Sequence, residues 1–153
     1  MLVGLAVPTA ILIAVDRPEL LVYVAFGAFA GMYGRGETGR RRIIHQVQAG
    51  GLLTAGCAIG VTLAAQSAPL WVLLVVESAF AVTGSLLADA VRLRPSGPFF
   101  FIFALGATAT VPGHLVPPLA AIVICAASAG LAVAIGLIGT PSPFEGPRWW
   151  AGL

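Results

Sequence analysis

Residues 70–91 read LWVLLVVESAFAVTGSLLADAV, an apolar run with one carboxylate, Glu77, well inside it and a second, Asp89, close to its end. At about 1.5 Å of rise per residue, an α-helix of this length reaches about 33 Å. The hydrocarbon core of a bilayer is about 30 Å thick. The run therefore predicts a membrane-spanning helix that carries a charged side chain into the membrane.

The rest of the chain has the same apolar character. Of the 153 residues, 59% are hydrophobic and 9% are charged, and the mean hydropathy is +1.00. Charged residues make up about a quarter of a typical soluble domain. We therefore expect an integral membrane protein whose partner is the lipid bilayer, with no soluble catalytic or nucleotide-binding domain. All eight basic residues are arginines beside apolar runs, so we expect no nucleic-acid partner.

Six apolar runs are separated by proline, glycine and charged residues. They cover approximately residues 1–15, 20–33, 47–65, 70–91, 99–111 and 119–138. We predict an all-α, polytopic membrane bundle of about six transmembrane helices over residues 1–139, followed by a short cytoplasmic Pro/Trp tail over residues 140–153. The first run is interpreted as a span because it lacks the basic segment and the cleavage site of a signal peptide.

The arginines predict the orientation of the bundle. With Met1 in the cytoplasm, Arg17 is the one arginine in an outer segment, and the other seven lie in cytoplasmic segments. These seven are Arg35, Arg40, Arg41, Arg42, Arg92, Arg94 and Arg148. Because positive residues are retained on the cytoplasmic side, we expect a multi-pass plasma (inner) membrane protein with both termini in the cytoplasm.

The carboxylates of the fourth run differ in their expected roles. An ionised Glu77 inside the membrane costs several kcal/mol unless it faces the bundle interior, finds a donor or holds a proton. At 100° per residue it shares one helix face with small and polar residues, namely Ser78, Ala81, Gly84, Ser85, Ala88 and Asp89. Such a face is typical of a cavity or proton path, and the alternative is a structural carboxyl bonded to a neighbouring span. Asp89 is predicted to form a structural ion pair with Arg92 at i+3.

Aromatic residues concentrate at two places in the sequence. One group recurs at helical spacing in the second run and the other begins the fifth; they are Tyr23, Phe26, Phe29 and Tyr33, and Phe99, Phe100, Phe101 and Phe103. Each group is either lipid-facing and interfacial or a wall that stacks against a flat apolar substrate. Trp149 and Trp150 in the tail are interpreted as interfacial anchors.

Small residues predict how the helices pack. The pairs Gly27/Gly31, Gly56/Gly60 and Gly130/Ala134 allow close backbone contact, which we expect within the chain rather than in a glycophorin-like dimer.

Cys57 and Cys125 each lie inside an apolar run and are interpreted as small buried side chains. A disulfide would require two spans to present them face to face. We expect no metal and no cofactor, because His45 and His114 fall on opposite sides of the membrane and no metal-binding motif occurs.

Two stretches resemble conserved blocks of the FUSC family, the fusaric-acid-resistance and aromatic-acid-exporter type membrane proteins. The first comprises residues 17–20 (RPEL), 25–29 (AFGAF), 33–37 (YGRGE) and 40–42 (RRR). The second comprises residues 92–100 (RLRPSGPFF) and 103–106 (FALG). With their spacing they cover about residues 16–110, and the chain matches the six-span membrane unit of that family.

The resemblance implies export of small, often aromatic, organic acids or related toxic compounds across the plasma membrane, driven by the proton gradient. Larger members of the family join two six-span units, which implies that this chain works as a homo-oligomer or with a second six-span unit. The alternative is a non-transporting scaffold or half-unit that acts only with a partner chain. An enzyme is not expected, since Glu77 has no second catalytic group at a similar depth.

The residues suggest a mechanism for such export. The carboxylate of the organic acid is held by Arg35, or by Arg92 and Arg94, at the cytoplasmic mouth. The aromatic ring stacks on side chains of the two aromatic groups, namely Phe26, Phe29, Phe99 and Phe100. Glu77 exchanges a proton as the bundle switches access.

Overall fold

The computed structural model describes residues 2–14, 16–34, 39–93 and 99–138. In these ranges the chain forms six α-helices and no strand, which confirms the all-α fold. The helices are α1 (Leu2–Ala14), α2 (Leu21–Phe29), α3 (Arg40–Ala65), α4 (Leu70–Ala90), α5 (Phe99–Ala109) and α6 (Pro118–Ile138). Short 3-10 turns at Pro18–Leu20 and Ala30–Met32 extend α2 at both ends. The tail with Trp149 and Trp150 lies outside the described residues.

Three of these helices are long and apolar enough to cross a membrane. They are α3 with 26 residues, and α4 and α6 with 21 residues each. The other three predicted spans form helices where they were expected, but α1 has 13 residues and α5 has 11. A helix of 11 residues reaches only about 17 Å. Length and composition therefore support three of the six predicted spans.

The central helix of the bundle is α3, which packs against α5 and α6, while α2 packs mainly against α6. The residues at these contacts show that α5 runs parallel to α3 and that α6 runs antiparallel to it. The largest wholly buried side chains of the core are Tyr23, Tyr33, Leu53, Phe101 and Leu105. α4 lies at the edge of the bundle against α5, and only Gly84 and Ala88 of this helix are buried.

Glycine allows two of these helix pairs to approach to backbone contact. A Cβ atom at Gly27 of α2 would overlap the Cys125 carbonyl oxygen and the Ala129 nitrogen of α6. In the same way, a Cβ atom at Gly56 or Gly60 of α3 would overlap the backbone of α5. Both glycine pairs therefore pack helices of the same chain, as predicted.

The third small-residue pair does not pack in this way. No atom of a neighbouring element lies within 4 Å of a Cβ atom built at Gly130, among the residues that the structure describes. Gly130 and Ala134 are both exposed on α6. The prediction that this pair packs helices within the chain is therefore wrong, because its face of α6 points away from α2 and α3.

The Gly27 contact provides a first test of the packing. Replacing Gly27 with Ala should destabilise the bundle by about 1–3 kcal/mol, because the added methyl group has no room against α6. Gly130→Ala is the matched control on the partner helix, and it should leave stability unchanged or slightly improved. Thermal unfolding of the detergent-solubilised chain measures both. Equal behaviour of the two variants would contradict the α2–α6 contact.

Candidate functional site

An open recess of about 280 Å³ lies where the turn between α3 and α4 meets the connection between α5 and α6. Its walls include Leu63 and Ser67 on one side, Leu73 of α4, and Thr110 and His114 on the other. The recess is at the end of the bundle opposite the arginines that begin α3. We call these two ends the recess end and the arginine end.

Glu77 lies one helical turn below this recess. It follows Leu73 by four residues in α4, and its Oε1 atom lies 2.9 Å from the position that a Cβ atom of Gly106 would occupy. Gly106 precedes Thr110, on the opposite wall, by one turn of α5. Glu77 therefore lies in the groove between α4 and α5, one helical turn from the residues of the recess. Glu77 is half-buried and has no hydrogen-bond or ion-pair partner among the described residues.

The small-residue face of α4 is the side that meets α5. Gly84 and Ala88 are buried and Ala81 is half-buried, whereas Leu74 and Leu86 on the other side are 55% and 66% exposed. Ser78 and Asp89 lie at the exposed edges of this face. The Ser78 Oγ atom donates to the Leu74 carbonyl of its own helix at 2.7 Å. The centre of the predicted face thus lines the groove and its edges do not.

The predicted ion pair between Asp89 and Arg92 is not formed in the structure. Both side chains are exposed, and only the backbone links the two residues, through a bond of 3.1 Å from the Arg92 nitrogen to the Asp89 carbonyl. An ion pair at i, i+3 forms only if the helix continues through Arg92. Instead α4 ends at Ala90, and Arg92 has a positive φ of 54°, which turns its side chain away from the helix face.

The two aromatic groups of the sequence form one cluster across α2 and α5. Phe26 and Phe103 have ring centroids 5.5 Å apart, and Phe29 and Phe100 have centroids 5.3 Å apart. Tyr33 stacks on Phe101 at 5.8 Å with an interplanar angle of 16°. We call this set, with Phe99, the aromatic cluster.

The aromatic cluster extends from the core to the surface. Phe26 is 3% exposed, whereas Phe99 is 68% exposed and stacks on Phe103 at 6.0 Å. The buried members are therefore core residues. Phe99 and Phe103 remain free to contact lipid or a flat solute.

A second group of polar atoms lies near the arginine end and was not predicted from the sequence. Gln46 of α3 is wholly buried, and neither atom of its amide has a hydrogen-bond partner among the described residues. The buried Nε atom of Arg42, one turn earlier, also has none. Both residues line a cavity of about 40 Å³, and Gly31 and Gly136 also line it. We call this the inner cavity.

The inner cavity can accommodate a small polar guest. Buried polar atoms without partners are costly in a protein interior, and more so in a membrane. A water molecule occupies about 30 Å³ in the liquid, so the space suits one water molecule or a single carboxylate group. The sequence did not predict this site. Arg42 belongs to the arginines that indicate the orientation in the membrane, and Gln46 is uncharged. The signal that could have revealed it is a glutamine one helical turn after an arginine, Arg42, at the start of an apolar run.

The remaining predicted site residues are not brought into either site. Arg35 and Arg94 lie outside the described residues. Arg92 is described, and its side chain is exposed beyond the end of α4. The structure therefore brings Phe26, Phe29, Phe99 and Phe100 together in the aromatic cluster and leaves Glu77 separate from them, farther along α5 towards the recess.

Substitution of Gln46 tests whether its amide has a strong partner. Gln46→Met keeps the length of the side chain and removes two unpaired polar atoms, so stability should change by less than about 1 kcal/mol or improve. Gln46→Ala should cost about 2 kcal/mol or more because it enlarges the cavity. Thermal unfolding in detergent compares the two. A large loss with methionine would instead show that a bound group satisfies the amide.

Comparison with known proteins identifies no relative of this chain. No family model, no curated protein and no solved structure matches the chain.

Proposed function

We propose that this chain is a membrane transporter of the FUSC type that exports small organic acids, aromatic acids among them, in exchange for protons. The observation that carries the proposal is the position of Glu77 in the groove between α4 and α5, one turn below an open recess. Its carboxylate has no hydrogen-bond donor among the described residues. Ionisable residues at such positions commonly mark proton relays in membrane proteins.

The proposal includes six spans with both termini in the cytoplasm of a plasma-membrane protein. In this orientation the arginine end is cytoplasmic and the recess end is external. The shorter helices are compatible with this six-span arrangement where longer helices surround them. Non-helical backbone at their ends is tolerated at membrane depth when it is buried in protein. The best example is α5, which has 11 residues, four of them buried, and packs between α3 and α4.

Protons would reach Glu77 from the external side through the recess. Protonation neutralises the carboxyl and removes the cost of a charge inside the membrane. Gly106 leaves space for the Glu77 carboxyl directly against the backbone of α5. A change of charge at this contact therefore alters how strongly α4 and α5 associate, which is a means of coupling proton uptake to a change of access.

The organic acid would enter at the arginine end. The Nε atom of Arg42 and the amide of Gln46 offer donors to a carboxylate in the inner cavity, with charge assistance from the guanidinium. The cavity accommodates the carboxylate group but not a ring. Phe99 and Phe103, at the start of α5, supply exposed aromatic faces for a ring near the same end.

A half-unit that requires a partner chain is the second candidate. The exposed side of α4 favours it, because Trp71, Val82 and Leu86 are 67%, 61% and 66% exposed and only two residues of the helix are buried. This surface can contact a helix of a second copy or a second six-span unit as well as lipid. Such a chain would insert normally and show no transport alone.

Efflux from cells tests the role of Glu77. Cells that express the chain should accumulate less radiolabelled benzoic acid than cells with an empty vector, and a protonophore should abolish the difference. Glu77→Gln should also abolish it, because the amide cannot exchange a proton. Glu19→Gln is the matched control, since Glu19 lies in the segment between α1 and α2 and pairs with Arg17 at 3.5 Å.

Three outcomes of this experiment are distinct. Export that survives Glu77→Gln and still depends on the gradient would contradict the role of Glu77 as proton carrier. Export that survives the protonophore would contradict proton coupling. Equal accumulation with the wild-type chain and the empty vector would overturn transport by the chain alone and favour the half-unit.

The inner cavity is tested by the concentration dependence of export. Arg42→Ala should raise the half-maximal substrate concentration by about tenfold or more, because a charge-assisted hydrogen bond is worth about 1.5–3 kcal/mol. Arg41→Ala is the matched control, since the neighbouring Arg41 is exposed. Equal effects of the two substitutions would show that these arginines act only through the orientation of the chain.

A further inference from the structure

Cys57 of α3 and Cys125 of α6 face each other inside the bundle. Their Sγ atoms are 3.4 Å apart, both side chains are 0% exposed, and both thiols are free. The geometric condition for a disulfide, that two spans present the residues face to face, is therefore met. Two sulfurs at this separation are in van der Waals contact, and they bond when they close to about 2.05 Å.

The surrounding packing keeps the two thiols at the same level. Thr54, one turn before Cys57, has its Oγ1 atom 3.9 Å from the Cys125 Sγ atom. On its other side, the Cys125 backbone lies against Gly27 of α2, where no Cβ atom fits. α6 is therefore held between α2 and α3 at this level, and it presents Cys125 to Cys57 as long as the bundle is folded.

We propose that Cys57 and Cys125 form a reversible disulfide that links α3 to α6 when the protein meets a small neutral oxidant of the peroxide class. One thiol attacks hydrogen peroxide, so that an S–O bond forms, the O–O bond breaks and a water molecule leaves. The second thiol then attacks the sulfenic acid, the S–S bond forms, the S–O bond breaks and a second water molecule leaves. Two electrons pass from the sulfurs to the peroxide, and both thiol hydrogens leave in water.

A disulfide suits this site better than a metal ion. Two thiolates with a monovalent soft metal ion would leave a net negative charge in the apolar interior, which is costly. The disulfide is neutral. No group of three or more metal-ligating side chains occurs among the described residues, so the pair has no third ligand of that kind.

The link would join positions 68 residues apart in the sequence and fix α6 to the central helix of the bundle. It does not depend on the proposed transport function. Its direct consequences are the loss of two free thiols and a more stable fold, because a cross-link over so long a loop restricts the unfolded chain.

Thiol counting on the purified full chain in detergent tests the proposal. The protein is treated with hydrogen peroxide, quenched with catalase, denatured and labelled with a polyethylene-glycol maleimide that shifts its mobility on a gel. The chain has two cysteines, so we expect two adducts before oxidation, none after it, and two again after dithiothreitol. The intact mass should fall by about 2 Da on oxidation, as two hydrogens are lost.

Cys57→Ser and Cys125→Ser are matched controls with one thiol each. After peroxide they should show no mass loss of about 2 Da, because a lone thiol can be oxidised only to the sulfenic acid or beyond. The oxidised wild-type chain alone should unfold about 5 °C higher or more, reversibly with dithiothreitol. The mass and reversal measurements use the wild-type chain, so they stand even if a serine variant folds poorly. Two adducts after peroxide, labelling that dithiothreitol does not restore, or a cross-linked dimer on a non-reducing gel would each overturn the proposal.

Discussion

The close backbone contact between helices at glycine is the constraint on which the rest of the structure depends. Inside lipid the hydrophobic effect does not hold helices together, so their association depends on van der Waals contact and hydrogen bonds between them. Gly27 brings α2 to the backbone of α6, and Gly56 and Gly60 bring α5 to the backbone of α3. The Ser128 hydroxyl adds a 2.8 Å bond to the Val24 carbonyl across the first contact. With these pairs in place, α4 is left at the edge, where its small-residue face closes the groove that holds Glu77.

The same packing places two sets of unpaired polar side chains at different levels of the bundle. Glu77 lies towards the recess end, and Arg42 and Gln46 lie towards the arginine end. Leu53 is wholly buried between these levels, and Tyr23 is a further wholly buried residue whose hydroxyl has no hydrogen-bond partner among the described residues. In a low-dielectric interior, polar atoms without partners attract water or a polar solute. The separation of the two polar sites along the bundle is compatible with the proposed transport, since alternating access requires a site that communicates with each side in turn.

Local patterns in the sequence predicted much of this arrangement. They could not predict the contacts between segments that are distant in the sequence. The helix positions and the small-residue face around Glu77 follow from periodicity. The contacts between Phe26 and Phe103 and between Cys57 and Cys125 cannot be predicted from periodicity. Each contact joins two helices, and a local sequence pattern does not indicate which helices are neighbours. Gly56 and Gly130 occur in similar patterns, yet only Gly56 meets another helix. The predicted ion pair between Asp89 and Arg92 is absent for a local reason. The helix ends at Ala90, so Arg92 is not on the same helix face as Asp89.

The position of the two thiols connects these observations. Cys57 lies about three turns beyond Gln46 in α3 and one turn before Gly60, which packs on α5 next to Gly106 and hence to Glu77. The pair therefore lies between the levels of Gln46 and Glu77. In the proposed transport, a solute that passes from the inner cavity to the recess would have to separate side chains at this level. Movement of α6 relative to α3 is the direct way to do so, because these helices meet there with nothing between their sulfurs. A covalent bond at this point would oppose that movement, so the proposed disulfide would inhibit the proposed transport.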